Sequence, residues 1–111
     1  MSNKKAMCRV RLTDAQYREC RMIAARKELR LGSILEEALK LFLLKKDAGE
    51  EILYHPTYRN TKEMSMYCDQ GLSEEVREIA NSESLKYVNV FTTAILDYLA
   101  NHKDEEQLLW A

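Results

Sequence analysis

The sequence predicts a mainly α-helical protein built around a short two-stranded antiparallel β-ribbon. Three observations predict it. A shift of 56 residues aligns 7–46 with 63–102 without a gap. Each aligned stretch opens on alternating apolar residues, the two-residue period of a strand. Each then continues with two segments in which apolar residues recur at helical spacing. One Pro and three Gly leave few of the tight turns that a sandwich of many strands would need.

Seven of the forty aligned pairs are identical: Glu19/Glu75, Arg21/Arg77, Ile23/Ile79, Ala24/Ala80, Leu29/Leu85, Ala38/Ala94 and Leu43/Leu99. The apolar register carries the rest, including Cys8/Met64, Val10/Met66, Leu12/Cys68, Ile34/Val90 and Phe42/Tyr98. Two amphipathic helical stretches can share such a pattern by chance, so the pattern alone leaves a repeat as an expectation.

The first element is the strand in which Cys8, Val10 and Leu12 face the core, while Met7, Arg9 and Arg11 face outward. Thr13 can cap the helix that follows, with Asp14 in its first turn. This helix is expected to run to about Glu28 with Cys20, Ile23 and Ala24 on one face. Leu29-Arg30-Leu31-Gly32 should break it. A second helix is expected from about Ser33 to Lys46, carrying Ile34, Leu35, Ala38, Leu39 and Phe42 on its buried stripe.

A linker of about 15 residues, 47–61, contains Gly49 and Pro56, and its Tyr54–Tyr58 stretch should rest on the body. The second unit opens with Met64, Met66 and Cys68 inward and Glu63, Ser65 and Tyr67 outward. Asp69 or Ser73 caps its first helix, which carries Val76, Ile79 and Ala80. Its second helix carries Phe91, Ala94, Ile95, Tyr98 and Leu99. The tail 103–111 is charged and expected to fray, with Leu108-Leu109-Trp110 able to dock on the body or on a partner. The units are thus 6–46 and 62–102. A chain of 111 residues supports one core rather than two, so they are expected to share it.

The same reasoning explains the doubling. A lone strand has no hydrogen-bonding neighbour, and two short helices make a thin core. Two copies can pair their strands and pool four helices. The linker spans at most roughly 50 Å at about 3.3 Å per residue, ample for the strands to meet.

Charge narrows the function. Residues 1–46 hold twelve Lys and Arg against five Asp and Glu, a net +7; residues 47–111 hold five against thirteen, a net −8. A basic half suits an anionic partner. Three cysteines without CxxC spacing and two distant histidines, His55 and His102, fit neither a zinc site nor a disulfide framework. No Gly-rich phosphate loop, HExxH or GxSxG is present, and the tyrosines near His55 lack the histidine cluster a metal-assisted nucleophile would need. The expectation is a non-enzyme with no cofactor, no metal and no membrane span. The N-terminus shows no signal-peptide pattern, so a cytoplasmic setting is expected.

The order strand-helix-helix, twice, resembles the ribbon-helix-helix superfamily of the Arc and MetJ repressors. The resemblance covers about 80 of the 111 residues and rests on element lengths, on Ala24 and Ala80, and on Ala38-Leu39 and Ala94-Ile95. Two motifs in one chain resemble the tandem TraY-like accessory proteins of plasmid transfer. The resemblance implies an intramolecular pseudo-dimer whose ribbon enters the major groove of double-stranded DNA. It implies base contacts by Met7, Arg9, Arg11, Glu63, Ser65 and Tyr67. It also implies phosphate contacts near the start of each second helix, by Arg30, Gly32 and Ser33 and by Lys86, Tyr87 and Asn89, with Lys4 and Lys5 adding attraction. Arg9 and Arg11 on an exposed face could equally be mere solvated charge, and Gly32 a plain turn. Glu63 departs from the pattern, since it would repel phosphate. The implied roles are repressor or accessory factor in DNA processing. The implied partners are DNA, further copies of the chain on adjacent sites, and a DNA-processing enzyme. The alternative is a protein-interaction module of this shape that does not bind DNA.

Overall fold

A computed structural model describes residues 4–56 and 59–110, with side chains through 102. The elements run β1 (Lys5–Leu12), α1 (Asp14–Lys27), α2 (Leu31–Asp47), β2 (Lys62–Asp69), α3 (Gln70–Ser82) and α4 (Tyr87–Trp110). The expectation of a mainly helical protein with a two-stranded antiparallel ribbon is met by these elements.

The strands pair antiparallel with Cys8 opposite Met66, Arg9 opposite Ser65, Val10 opposite Met64 and Arg11 opposite Glu63. The pair Arg9–Ser65 maps onto itself under the 56-residue shift, and Met7–Tyr67 maps onto Arg11–Glu63. Alternation puts Cys8, Val10, Leu12, Met66 and Cys68 in the core, with Met64 half-buried against it. The opposite face of the ribbon is open.

Local chemistry sets the helix ends. Thr13 forms a reciprocal capping box with Gln16: its hydroxyl accepts from the Gln16 N–H at 3.1 Å, and its own N–H donates to Gln16 Oε1 at 2.9 Å. Asp69, not Ser73, caps α3, accepting from the Leu72 N–H at 3.0 Å; Ser73 is fully buried beside Cys8. Helix α1 ends within a residue of the expected Glu28, and the break after it is shorter than expected. Glu28 adopts the left-handed conformation with φ 56°, and Leu29 N–H returns to the Ala24 carbonyl at 2.8 Å. Helix α2 therefore starts at Leu31, and Gly32 lies inside it rather than in a turn. Fifty-six residues on, Ser84 has φ 56° and Leu85 N–H returns to the Ala80 carbonyl at 2.8 Å.

Beneath the ribbon, α2 and α4 pack on each other, and each carries a buried alanine, Ala38 and Ala94, about 1% exposed. Helix α4 lies against β1, and α2 against β2. Helices α1 and α3 each pack on both α2 and α4 and so flank that pair. Small residues let the central helices approach, and Ile34, Leu35, Leu39, Val90, Phe91 and Ile95 fill the space around them. All the buried apolar residues form one cluster, so neither half has a core to itself.

The linker crosses the body as a strap. Tyr54 stacks edge-on against Phe42 at 6.4 Å between ring centroids, and its hydroxyl donates to Glu83 Oε2 at 3.1 Å. Lys46 reaches the same carboxylate at 2.9 Å. The Lys46 ammonium, aided by the Tyr54 hydroxyl and opposed by burial, holds the Glu83 carboxyl below its ordinary range. His55 N–H donates to the buried Thr93 hydroxyl at 2.8 Å. Thr57 and Tyr58 lie outside the described residues. The tail differs from expectation: α4 continues to Trp110 rather than ending near Asn101. The side chains of Leu108, Leu109 and Trp110 lie outside those described.

Candidate nucleic-acid interface

The outward face of the ribbon carries the six residues expected there. Met7, Arg9, Glu63, Ser65 and Tyr67 are exposed, while Arg11 is partly covered. Period two puts them on one face, because successive side chains on a strand point to opposite sides.

The two arginines are not equivalent. Arg9 is 63% exposed at its side chain, and its Nε lies 3.3 Å from Glu63 Oε1. Arg11 is 33% exposed and held from three directions. Its Nε donates to Thr61 Oγ1 at 3.2 Å, one terminal nitrogen donates to the Thr61 carbonyl at 3.0 Å, and the other stands 3.9 Å from Glu63. Its backbone N–H donates to Thr92 Oγ1 at 3.0 Å. Thr61, which sequence reasoning placed in the linker, thus orients one of the two arginines. Nothing in a threonine just ahead of a strand signals that role. Glu63 neutralises part of the face that Arg9 and Arg11 would otherwise present.

A cleft flanks the ribbon on each side, at the start of α2 and of α4. The first, of about 360 Å³, is lined by Lys5, Arg30, Gly32, Ser33, Ser65 and Tyr67 among others. The second, of about 250 Å³, is lined by Arg9, Arg11, Glu63, Lys86, Val88 and Asn89. The structure therefore brings most of the two predicted sets of residues together, ribbon and helix start sharing each cleft. At α2 no side chain caps the helix start, and the Ser33 N–H turns back to the Arg30 carbonyl at 3.0 Å. Tyr87 is an exception: its hydroxyl donates to Asn81 at 3.0 Å and its ring lies under the Arg77 guanidinium, away from the second cleft. Lys4 is exposed at the entry to β1, where its carbonyl accepts from the Gln70 N–H at 3.2 Å. Lys5 pairs with Glu36 at 3.2 Å.

Gly32, which lines the first cleft, also meets the ribbon backbone. A Cβ there would lie 2.0 Å from the Tyr67 carbonyl oxygen. The glycine lets α2 press against β2 and fixes the depth of the first cleft. The matching position in α4 is Val88, so the two clefts cannot have the same shape.

Behind the ribbon, Cys8 and Cys68 approach to 3.3 Å between sulfurs, and Ser73 Oγ lies 3.5 Å from Cys8. A hydrogen bond from Cys68, aided by Ser73 and Arg77 and opposed by burial, lowers the Cys8 thiol to about 6. The same hydrogen bond, together with burial, pushes Cys68 up. Burial raises Cys20 to about 11, with Glu19 adding to it. Among the described residues no group of three or more His, Cys, Asp or Glu could hold a metal, and no helix is long and apolar enough to cross a membrane. Comparison with protein families, with characterised proteins and with solved structures finds no match for the chain.

Proposed function

We propose that the chain is a ribbon-helix-helix pseudo-dimer, one motif in each half, that inserts its ribbon into the major groove of double-stranded DNA. One observation carries this reading: Arg9 and Arg11 stand on the open face of an antiparallel ribbon between two clefts, each at the start of a helix and each holding a basic residue, Arg30 or Lys86. An arginine fork suits guanine, because it can donate to O6 and N7 together. In this reading the starts of α2 and α4 meet the backbone phosphates on either side. Left-handed residues and turn hydrogen bonds that recur 56 residues apart support the pseudo-dimer.

Biologically the reading is an accessory factor in DNA processing, such as plasmid transfer, or a transcriptional repressor. Both roles use the same face. A specific observation favours a second reading, a protein-interaction module: Glu63 already occupies both arginines.

Fluorescence anisotropy of labelled duplex DNA distinguishes them. The protein and its Arg9→Ala, Arg11→Ala double variant are titrated at several salt concentrations. Affinity that falls steeply with salt and is lost in the variant supports DNA reading. Absence of binding at low salt, in a protein with a cooperative melt, moves the function to protein interaction.

A further inference from the structure

The two helices that flank the body carry opposite charge on matching faces. Helix α1 holds Arg18, Arg21, Arg26 and Lys27 against Asp14 and Glu19, a net +2. Helix α3 holds Glu74, Glu75 and Glu78 against Arg77 alone, a net −2. Moreover, Arg77 does not offset its neighbours outward. Its guanidinium donates to the Met7 carbonyl at 2.9 Å and lies over the Tyr87 ring, so the outer charge of α3 is entirely acidic.

Spacing concentrates each charge. Arg18, Arg21, Met22 and Ala25 lie three or four residues apart and share one exposed helix face; Glu74 and Glu78 do the same on α3. The 56-residue shift places Glu74 where α1 has Arg18, and Glu78 where it has Met22. Among the described residues, none of Arg18, Arg21, Glu74, Glu75 and Glu78 is in an ion pair, although the ribbon residues and Lys27, Lys46 and Glu83 are. The α1 face is dished: a shallow depression of about 460 Å³ lies between Asp14, Tyr17, Arg18, Arg21, Met22 and Ala25. Of the α3 glutamates only Glu75 borders a depression, one of about 510 Å³ whose lining also includes Glu36, Lys40 and Asp69; Glu74 and Glu78 stand outside it. Met22, 48% exposed, shares the α1 depression with Tyr17 and two arginines, a composition that suits a protein contact better than plain solvation.

We infer that the α1 face of one chain docks on the α3 face of a second copy, so that chains associate head to tail in one direction. The contact is heterologous: each copy that binds leaves one basic and one acidic face unused, and the row can extend. It needs no DNA, and it stands or falls independently of the ribbon's role. Like-charge faces meeting head to head or tail to tail would repel, which makes the direction a consequence of charge.

Sedimentation velocity on the full chain, without DNA, tests this. At low salt the protein should sediment faster as its concentration rises, and near 1 M salt, where the screening length is about 3 Å, the effect should vanish. Two surface variants, Arg18→Glu with Arg21→Glu and Glu74→Arg with Glu78→Arg, should each lose self-association on the order of tenfold or more. An equimolar mixture of the two should regain it, because an all-acidic pair of faces then meets an all-basic pair. A cooperative melt of each variant verifies folding. A wild-type protein that stays monomeric at low salt overturns the inference, as does a mixture that does not re-associate. Association that survives both reversals assigns the contact to another face. Loss of DNA binding by the first variant, with no re-association in the mixture, assigns the basic face to DNA instead.

Discussion

Gly32 and the carbonyl oxygen of Tyr67 touch so closely that a Cβ at position 32 would lie 2.0 Å from that oxygen. The neighbour is backbone in a paired strand and cannot swing aside. In an open helix, glycine to alanine is stabilising by about 1 kcal/mol. Here Gly32→Ala should instead destabilise by roughly 1–3 kcal/mol as α2 is forced off β2. Urea denaturation reads the sign. A variant as stable as the parent or more so would show that the approach is not constrained.

Glu63 lies 3.3 Å from Arg9 and 3.9 Å from Arg11. If the ribbon face meets DNA, Glu63→Gln should release Arg9 and lift the carboxylate's charge from beside Arg11, which Thr61 still orients. Affinity should then rise on the order of tenfold, about 1.4 kcal/mol, and the log–log salt slope should steepen by about one. Anisotropy titrations at three salt concentrations measure both. Weaker and less selective binding would instead make Glu63 a reader of bases, accepting from a cytosine amine.

Cys8 couples stability to pH. Its thiol falls from 9.0 to about 6 on folding, chiefly through the hydrogen bond from Cys68. Folding thus favours the thiolate, so the stabilisation is complete above pH 9 and disappears as pH falls through 6. Cys68, raised by the same bond and by burial, stays protonated across that window. In reducing buffer the denaturation midpoint should climb between pH 6 and pH 9, and Cys8→Ala should flatten the climb whatever its effect on overall stability. Parallel pH profiles for parent and variant would refute the assignment.

Ala38 on α2 and Ala94 on α4, two helices packed on each other, are each about 1% exposed. Ala38→Asp or Ala94→Asp buries a carboxylate among the apolar residues of the core. The cost is about 3–5 kcal/mol or more, comparable with the whole stability of a small domain, about 5–15 kcal/mol. Each variant should lose its cooperative thermal transition in circular dichroism. Retention of a sharp transition would mean that the helices do not meet there.

The local elements were legible because their causes are local. Alternation at Cys8, Val10 and Leu12 and at Met66 and Cys68 places one ribbon face inside whatever the strand pairs with. The capping box at Thr13 and Gln16 likewise needs no tertiary partner. The end of α1 near Glu28 is legible too, whereas α2 starts at Leu31, two residues before the expected Ser33, because Glu28 rather than Gly32 takes the left-handed conformation that makes the turn. Asn101 and the charged tail predict an end to α4 there, yet no Gly or Pro follows Asn101 and the helix runs on to Trp110.

By itself, then, the sequence determined the periods, the first caps and which ribbon residues point outward, since each follows from spacing along the chain. Tertiary structure decided what those residues meet. Only packing brings Thr61 and Glu63 onto Arg11, sets Gly32 against Tyr67, turns Arg77 inward and leaves α3 acidic on its outer face. These contacts join residues far apart in sequence, and their geometry depends on how two half-cores settle into one.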